Sequence, residues 1–220
     1  MMLPMPLTTV VGTDLPASPD RRARRRHETI DEILVIAAQV MTEDGVNGLS
    51  LSEVARRLGV KPPSLYKYFD SLHAIYNELF RRGQVEHLEV MRAAIHGAEP
   101  GLAALRAGLD ASGRWCLDNR ALAQLLFWRP VPSFEPSPDA LDPSRTMVDL
   151  QRCCLADAAA AGQLGAGAAT DEAVYLVSTF VTGVLSQALA NEPDLPWGQG
   201  RFTPLFPRLM DILPALYPPA

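Results

Sequence analysis

The amino-acid sequence predicts an all-α fold, from the spacing of its prolines, the helical period of its apolar residues and the absence of clear strand alternation. The 19 prolines leave four long windows that contain none: 20–61, 64–99, 101–129 and 144–192. A proline inside a helix removes a hydrogen bond and clashes with the preceding turn, at a cost of about 3 kcal/mol. Proline-free windows rich in Ala, Leu, Arg and Glu therefore predict helices.

The first window predicts a long amphipathic helix followed by a short one. One helical face of the long helix carries Ile30, Ile33, Leu34, Ala37, Ala38 and Met41. Gly45 is placed to end this helix as a left-handed cap. Ser50 and Glu53 have the spacing of a capping box, with each side chain bonding the other's backbone N–H. The short helix that they begin stops at Leu58-Gly59, and another short helix is predicted from about Pro62 to Phe69.

A long helix over 72–96 follows, capped by Asp70-Ser71 and closed by Pro100-Gly101. Its predicted inward stripe is Ile75, Leu79, Val85, Leu88, Met91 and Ile95. Further helices are predicted over 101–119, 121–128, 144–163, 170–190 and 204–216. The stretch 130–143 holds five prolines and is predicted to be a loop, as is 192–203.

The charge of the chain is unevenly distributed. The 220 residues carry a formal net charge of −5, yet residues 20–83 hold 11 Lys/Arg against 9 Asp/Glu, whereas residues 84–220 hold 9 against 15. Five arginines lie within residues 21–26. A basic end beside an acidic body is expected of a protein whose first part contacts DNA, although a merely solvated arm is equally consistent with charge alone.

Composition and cysteine usage exclude several classes of protein. With 48% apolar and 20% charged residues, the chain is predicted to be globular, with one or two domains. The chain contains no run of 18 consecutive apolar residues, so no membrane span is predicted. The first 19 residues lack the pattern of a secretory signal. Cys116, Cys153 and Cys154 cannot form a disulfide framework, so a cytoplasmic protein is expected. The Cys153-Cys154 pair is either a redox sensor or, as we favour, structural.

No catalytic, metal or cofactor site is predicted. The four histidines are dispersed, and the glycines at 162, 165 and 167 follow an alanine-rich helical segment rather than a strand. No convergent set of acids, bases or nucleophiles is visible, so we do not expect an enzyme.

Residues 49–69 predict a helix-turn-helix. Val54, Ala55 and Leu58 form an apolar face on the first short helix, and Ala55 is small enough to allow a close crossing. Gly59 suits the turn because it adopts positive φ readily. Leu65 is expected to face inward from the second helix, which would then lie in the DNA major groove. The alternative is any pair of short packed helices.

This region resembles the TetR family of bacterial transcription regulators. The likeness runs from about Arg25 to Phe80 and includes Ala-x-x-Leu-Gly-Val, Ser64-Leu65-Tyr66 and Tyr68-Phe69. Many members carry a phosphate-contacting lysine soon after the aromatic pair, where this chain has Leu72 and His73, so no such contact is assigned. The resemblance implies nine or ten helices, a homodimer and a C-terminal body that binds a small effector. The expected domains are a disordered tail (1–19), a helix-turn-helix domain (20–71) and a helical effector-binding and dimerisation domain (72–220).

Candidate DNA contacts follow by subtraction, since Leu65 and Tyr68 are expected to pack inward. Lys61 and Lys67 suit phosphate or guanine, and Tyr66 offers a hydroxyl to a phosphate and a ring to a thymine methyl group. Ser50 and Ser52 stand at a helix N-terminus, which favours phosphate. The arginine run either enters an adjacent minor groove or raises non-specific affinity. The full set is Arg25, Ser50, Ser52, Lys61, Pro63, Ser64, Tyr66, Lys67 and Tyr68.

Large side chains in the C-terminal body are candidates for a ligand cavity, although each taken singly is more typical of ordinary core. They are Trp115, Phe127, Trp128, Met147, Tyr175 and Phe180. Their character predicts an apolar or aromatic effector. Residues 170–190 are apolar almost all round, which predicts burial on every side and a four-helix dimer seam formed with the C-terminal helix. Gly183 and Ala188 are small enough for close helix approach there.

The function expected from the sequence is that of a DNA-binding transcriptional regulator. It is expected to be a repressor that a small molecule releases from a palindromic operator by moving the helix 72–96. The alternative is a helix-turn-helix architectural protein or activator that uses no effector.

Overall fold

A computed structural model describes residues 19–219, which fold into helices without any β-strand. The helices are α1 (Pro19–Asp44), α2 (Leu51–Leu58), a 3-10 helix that we call the recognition helix (Pro62–Lys67), α3 (Leu72–His96), α4 (Leu102–Asp118), α5 (Arg120–Phe127), α6 (Pro138–Ala160), α7 (Asp171–Asn191) and α8 (Arg208–Leu216). Eight α-helices and the recognition helix give nine within the described range, so the all-α prediction and its helix number are confirmed. The predicted tail lies outside the described residues, except that α1 begins at Pro19.

The caps of the N-terminal domain form in part as predicted. Gly59 ends α2 in the left-handed conformation, with a φ of 72° and a ψ of 25°. Gly45 follows α1 with a positive φ of 79°, but its ψ of 165° is not that of a left-handed cap, so this part of the prediction is wrong. Ser50 Oγ accepts a hydrogen bond of 3.2 Å from the N–H of Glu53. The reciprocal half of the capping box is absent, because the Glu53 carboxylate binds Arg56 and Arg57 instead.

Helix α3 connects the N-terminal domain to the body. Its first turns bury Ile75, Tyr76 and Phe80, and the Tyr76 hydroxyl donates a hydrogen bond of 2.6 Å to the carbonyl of Val46. Its later turns pack against α4 and α6. One helix therefore packs against both parts of the chain, within a single continuous hydrophobic core.

The predicted inward stripe of α3 needs one correction. Val85 is exposed, whereas the neighbouring polar residues Gln84 and His87 are buried with 3% of their surface accessible. Gln84 and His87 stand three residues apart, so they share a helix face. The buried face of α3 is therefore polar at its centre.

The prediction of a loop over 130–143 is wrong at its C-terminal end, because α6 begins at Pro138. Ser137 is the N-cap, and its Oγ accepts from the N–H of Ala140 at 3.4 Å. Proline is favoured at the first helical position because its missing N–H would have no intrahelical partner there. Pro143 lies in the second turn and costs α6 one further hydrogen bond.

Helix α7 is buried on one face and exposed on the other. Val174, Val177 and Val181 pack inward, whereas Tyr175 and Leu176 are 64% and 41% exposed in the single chain. The expectation of burial on every side is thus corrected for the chain taken alone. Helix α7 is long and apolar enough to span a membrane, but the core helices of globular proteins often meet the same criteria.

Loss of the Tyr76 hydroxyl is expected to destabilise the contact between α3 and the N-terminal domain. Tyr76→Phe leaves the buried Val46 carbonyl without its donor, which costs about 1–3 kcal/mol in the free energy of unfolding. Chemical denaturation monitored by far-UV circular dichroism measures this loss. Tyr66→Phe serves as the control, since Tyr66 is 57% exposed, and its effect should stay within about 0.5 kcal/mol. Equal stability of wild type and Tyr76→Phe would contradict the assigned hydrogen bond.

Candidate nucleic-acid interface and ligand cavity

The recognition helix presents one polar face to solvent. Lys61, Pro63, Tyr66 and Lys67 are exposed, whereas Leu65 is buried against the core. Two prolines at its start fix the backbone where the chain leaves the turn. The exposed face is therefore free to contact another molecule.

The first turns of α1 are attached to the end of the recognition helix. Arg26 Nη1 donates a hydrogen bond of 2.6 Å to the Lys67 carbonyl, and its guanidinium carbon lies 5.3 Å from the centre of the Tyr68 ring. Tyr68 is half-buried and packs against the hydrophobic core, so it offers less surface than the exposed candidates Tyr66 and Lys67. The arginine run is helical, and Arg22 and Arg25 are exposed on it. No local sequence pattern indicates the pairing between Arg26 and the Lys67 carbonyl.

Acidic residues neutralise the arginines of α2. Arg56 and Arg57 donate to Glu53, and Arg57 also reaches Glu43 at the end of α1 at 2.8 Å. These hydrogen bonds hold the pKa of Glu53 at about 2, so the carboxylate stays charged at neutral pH. Arg57 thereby links α1 to α2 and is not free for an anionic partner.

Among the described residues, 19–219, Arg26 has no ion pair but is bound to the Lys67 carbonyl, and four further cations of the N-terminal domain form no ion pair. They are Arg22, Arg25, Lys61 and Lys67. Of the predicted serines, Ser52 is exposed in the first turn of α2, whereas the Ser50 hydroxyl already caps that helix and Ser64 is half-buried.

A cavity of about 520 Å³ lies in the body, between α3, α4, α5, α6 and α7. Its apolar wall residues are Met91, Leu109, Leu126, Phe127, Trp128, Leu141, Met147, Val148, Val181 and Leu185. Its polar wall residues are Gln84, His87, Ser112, Arg129, Ser144, Gln151, Ser178 and Thr182. The predicted candidates Phe127, Trp128 and Met147 do line this cavity.

Three predicted cavity residues lie elsewhere, and helix orientation explains each case. Tyr175 faces outward from α7, and Phe180 is half-buried outside the cavity wall. Trp115 is buried behind the wall, where its ring stacks on His87 at 4.8 Å between centroids and its Nε1 donates to Glu86. It supports the cavity rather than lining it.

Two of the residues that line the cavity, Gln84 and His87, each carry a buried polar atom with hydrogen-bonding capacity left over. Gln84 Oε1 and His87 Nδ1 have no hydrogen-bond partner in the part of the chain that the structure describes. His87 Nε2 lies 2.6 Å from Ser112 Oγ. Burial lowers the pKa of His87 to about 4, so the imidazole is neutral at physiological pH. Such orphaned polar atoms are costly unless another molecule satisfies them.

The cavity wall carries one charged residue, Arg129, which is exposed and has a φ of 45°. No carboxylate among residues 19–219 lines the cavity. Arg114, Arg120 and Arg145 do not line it either, because each pairs with an aspartate on the surface.

The segment that follows Arg129 leads back to α3. The ring of Phe134 is buried against Tyr76 and Phe80. The N–H of Ser137 donates a hydrogen bond of 2.8 Å to Asn77 Oδ1. Because Tyr76 also bonds the N-terminal domain, the mouth of the cavity is physically connected to that domain.

No cluster of three or more metal-ligating side chains occurs within residues 19–219. Burial raises the pKa of the Cys116 thiol to about 12 and that of Cys154 to about 11. Both thiols are therefore protonated and unreactive at neutral pH. Cys153, by contrast, is exposed.

The N-terminal domain matches a known family. Residues 33–79 match the family described as bacterial regulatory proteins, tetR family. The chain is 36% identical over 63 residues to the uncharacterized HTH-type transcriptional regulator YobS of Bacillus subtilis, and 29% identical over 102 residues to the HTH-type transcriptional activator FasR of Mycolicibacterium smegmatis. These matches cover 29% and 46% of this chain, and span a third and about half of the length of the two relatives.

Solved structures extend the likeness in fold to the body. A protein of unknown function from Rhodococcus sp. RHA1 superposes with a TM-score of 0.71 at 22% identity, covering 86% of this chain and 94% of that one. The transcriptional regulator FadR from Bacillus subtilis, solved with stearoyl-CoA, gives 0.68 at 16% identity, covering 83% and 96%. Residues 33–79 of the chain are therefore similar to the tetR family of bacterial regulatory proteins, and the described chain as a whole shares its helical fold with these solved structures.

The buried neutral histidine predicts a loss of stability in mild acid. Below pH 6.5 the unfolded chain protonates His87, whereas the folded chain does so only near pH 4. The unfolded state therefore binds more protons in this window, and the free energy of unfolding falls as the pH drops. Between pH 6.5 and 5 the titration of His87 lowers the free energy of unfolding by about 2 kcal/mol.

His87→Phe keeps an aromatic ring against Trp115 and removes this titration. Urea denaturation at pH 7.5 and pH 5 should therefore show a smaller acid loss in the variant than in the wild type. Titration of the His87 ring protons by NMR gives an independent reading in the wild type. A ring that titrates near pH 6.5 would refute the neutral, buried state.

Proposed function

We propose that this protein is a DNA-binding transcriptional regulator that acts in the cytoplasm as a homodimer and responds to a small molecule held in the body. The observation that carries the proposal is the exposed face of the recognition helix. That face bears Lys61, Tyr66 and Lys67 on a helix-turn-helix whose other cations are neutralised by carboxylates.

The unpaired cations divide into two groups by position. Lys61 and Lys67 flank the recognition helix and suit phosphates on either side of a major groove. Arg22 and Arg25 lie on the first turns of α1, which Arg26 attaches to the same helix. We infer that they reach the adjacent phosphate backbone or minor groove, with Pro63, Ser64 and Tyr66 nearest the bases. Ser52 adds a phosphate contact at the start of α2.

A homodimer is supported by the apolar surface that the single chain leaves uncovered. Tyr175 and Leu176 of α7 and Ile212 and Leu216 of α8 are exposed. Gly183 has open space around it and allows a second helix to approach closely. We propose that these faces pair across a twofold axis as a four-helix bundle. Ala188, which the sequence suggested for this seam, is buried within the chain and does not belong to it.

The proposed regulation rests on the position of the cavity along α3. Gln84 and His87 line the cavity two turns after Tyr76, which bonds the N-terminal domain. A ligand that is bound more tightly by one position of α3 shifts the population toward that position. The segment from Arg129 to Ser137 gives a second route to the same turns of α3. Such a shift changes the spacing of the two recognition helices, which must match half-sites about 34–36 Å apart.

Repression is the mode we propose, with release from a palindromic operator when the ligand binds. Activation is the second candidate, and FasR, described as an activator, favours it. The two modes share the same interface and differ in whether the DNA-bound dimer blocks or promotes transcription.

The DNA interface can be tested without knowing the operator. Selection from a random duplex pool with the full chain is expected to enrich a palindrome. Lys67→Ala should weaken binding to this palindrome and to unrelated duplexes by similar factors. It should also reduce the slope of log affinity against log salt by about one unit per half-site. Arg106→Ala in the body is the control, and its slope should remain that of the wild type. Unchanged binding by both Lys67→Ala and Tyr66→Phe would remove the recognition helix from the interface.

The dimer seam has its own test. Leu176→Glu places a carboxylate at the centre of the proposed bundle beside its symmetry mate, which should cost several kcal/mol of association energy. Leu195→Glu is the matched control, because Leu195 is similarly exposed but lies in the segment after α7. Sedimentation equilibrium should show a monomer for Leu176→Glu and a dimer for the control. A dimeric Leu176→Glu variant would place the seam elsewhere.

A further inference from the structure

We propose that the cavity takes an uncharged, largely apolar molecule whose hydroxyl group is held between Gln84 and His87. The inference rests on the proposed role of the cavity as the effector site and specifies the chemistry of its ligand. It is carried by the two orphaned polar atoms in an otherwise well-satisfied interior.

A single hydroxyl group matches the capacity left by the two residues. Within residues 19–219, Gln84 Oε1 is an acceptor that lacks a donor, and His87 Nδ1 lacks any partner. The residues are three apart on α3, so the two side chains leave the helix about 5–6 Å from one another. His87 Nε2 and Ser112 Oγ lie 2.6 Å apart, and we assign the hydroxyl as the donor, which places the ring proton on Nδ1. A ligand O–H then donates to Gln84 while its oxygen accepts from His87.

The charges around the cavity exclude an ionic head group at this depth. Among the described residues, no carboxylate lines the wall to balance a cation. Arg129, the one cation in the wall, is exposed, so an anion would bind at the solvent side rather than beside Gln84. The buried imidazole is neutral and supplies no charge. An uncharged ligand is what these walls can desolvate without leaving a buried, unpaired charge.

The remainder of the wall suits an apolar body with few polar groups. Phe127, Trp128, Met147 and Leu185 offer rings and aliphatic carbon. On the far side, Ser178 already donates to Gln151, so that pair is satisfied without a ligand. The polar demand is therefore concentrated at the Gln84 end.

A matched naphthalene series tests this chemistry on the full chain. The probes are 2-naphthol, 2-methylnaphthalene, 2-naphthoate and 2-naphthylmethylammonium, with binding followed by quenching of tryptophan fluorescence up to the solubility limit of each probe. We expect 2-naphthol to bind about tenfold or more tightly than 2-methylnaphthalene, because the methyl group leaves both orphaned atoms unsatisfied. The two ions should bind more weakly than 2-naphthol.

Paired variants locate the effect. Gln84→Met should reduce the preference for 2-naphthol over 2-methylnaphthalene to less than about threefold, with little change in the binding of the methyl compound itself. Gln151→Met makes the same substitution on the far wall, and the tenfold preference should remain.

Equal binding of the naphthol and methyl compounds, or no binding by either, overturns the proposal. Tighter binding of 2-naphthoate overturns it in favour of a site for acids at Arg129. Failure of the DNA selection would refute the proposed function as a regulator. The ratios of the naphthalene affinities would still test the proposed ligand chemistry of the cavity, because they do not depend on DNA binding.

Discussion

The structure depends on one continuous helix that is buried at two different places. The first turns of α3 complete the core of the N-terminal domain through Ile75 and Phe80, and the Tyr76 hydroxyl satisfies a buried carbonyl there. Two turns later the same helix turns Gln84 and His87 toward the cavity. Because closely packed interiors do not deform continuously, a change at one end of α3 is transmitted to the other.

The polar centre of α3 is costly to the folded protein. Replacing Gln84 and His87 by apolar residues of similar shape would remove two orphaned polar atoms from the interior. A neutral histidine at this depth also lowers stability in mild acid. Costs of this kind are characteristic of binding sites, where the unsatisfied groups await a ligand. This reasoning makes Gln84 and His87 the residues that distinguish this cavity from ordinary packing defects.

Local features of the fold were predictable from the sequence, because short-range chemistry determines them. The turn glycine Gly59 and the Ser50 cap appear where the sequence predicts them, and so does the buried Leu65. The number of prolines predicts a loop where α6 begins, although Ser137 is a suitable N-cap and Pro138 a suitable first helical residue. Proline is tolerated in the first turn of a helix, so the number of prolines alone does not distinguish a helix start from a loop.

The candidate sites were predictable only where one element supplies them. The exposed face of the recognition helix follows from the placement of Leu65, and it needs no tertiary information. The cavity wall draws on five helices, so Tyr175 and Phe180 could not be separated from Phe127 and Trp128 by residue type alone. Gln84 and His87 were passed over because polar residues on a helix usually face water. The pairing of Arg26 with the Lys67 carbonyl spans 41 residues and leaves no local pattern.

The central claim is that two recognition helices of a twofold dimer read adjacent turns of the same DNA. Hydroxyl-radical footprinting of the wild-type protein on the selected duplex tests it most directly. The account predicts two protected half-sites related by a palindrome, with centres about 10–10.5 base pairs apart or a multiple of that spacing, on one face of the helix. A single protected segment without symmetry, or protection that does not follow the helical repeat, would contradict it.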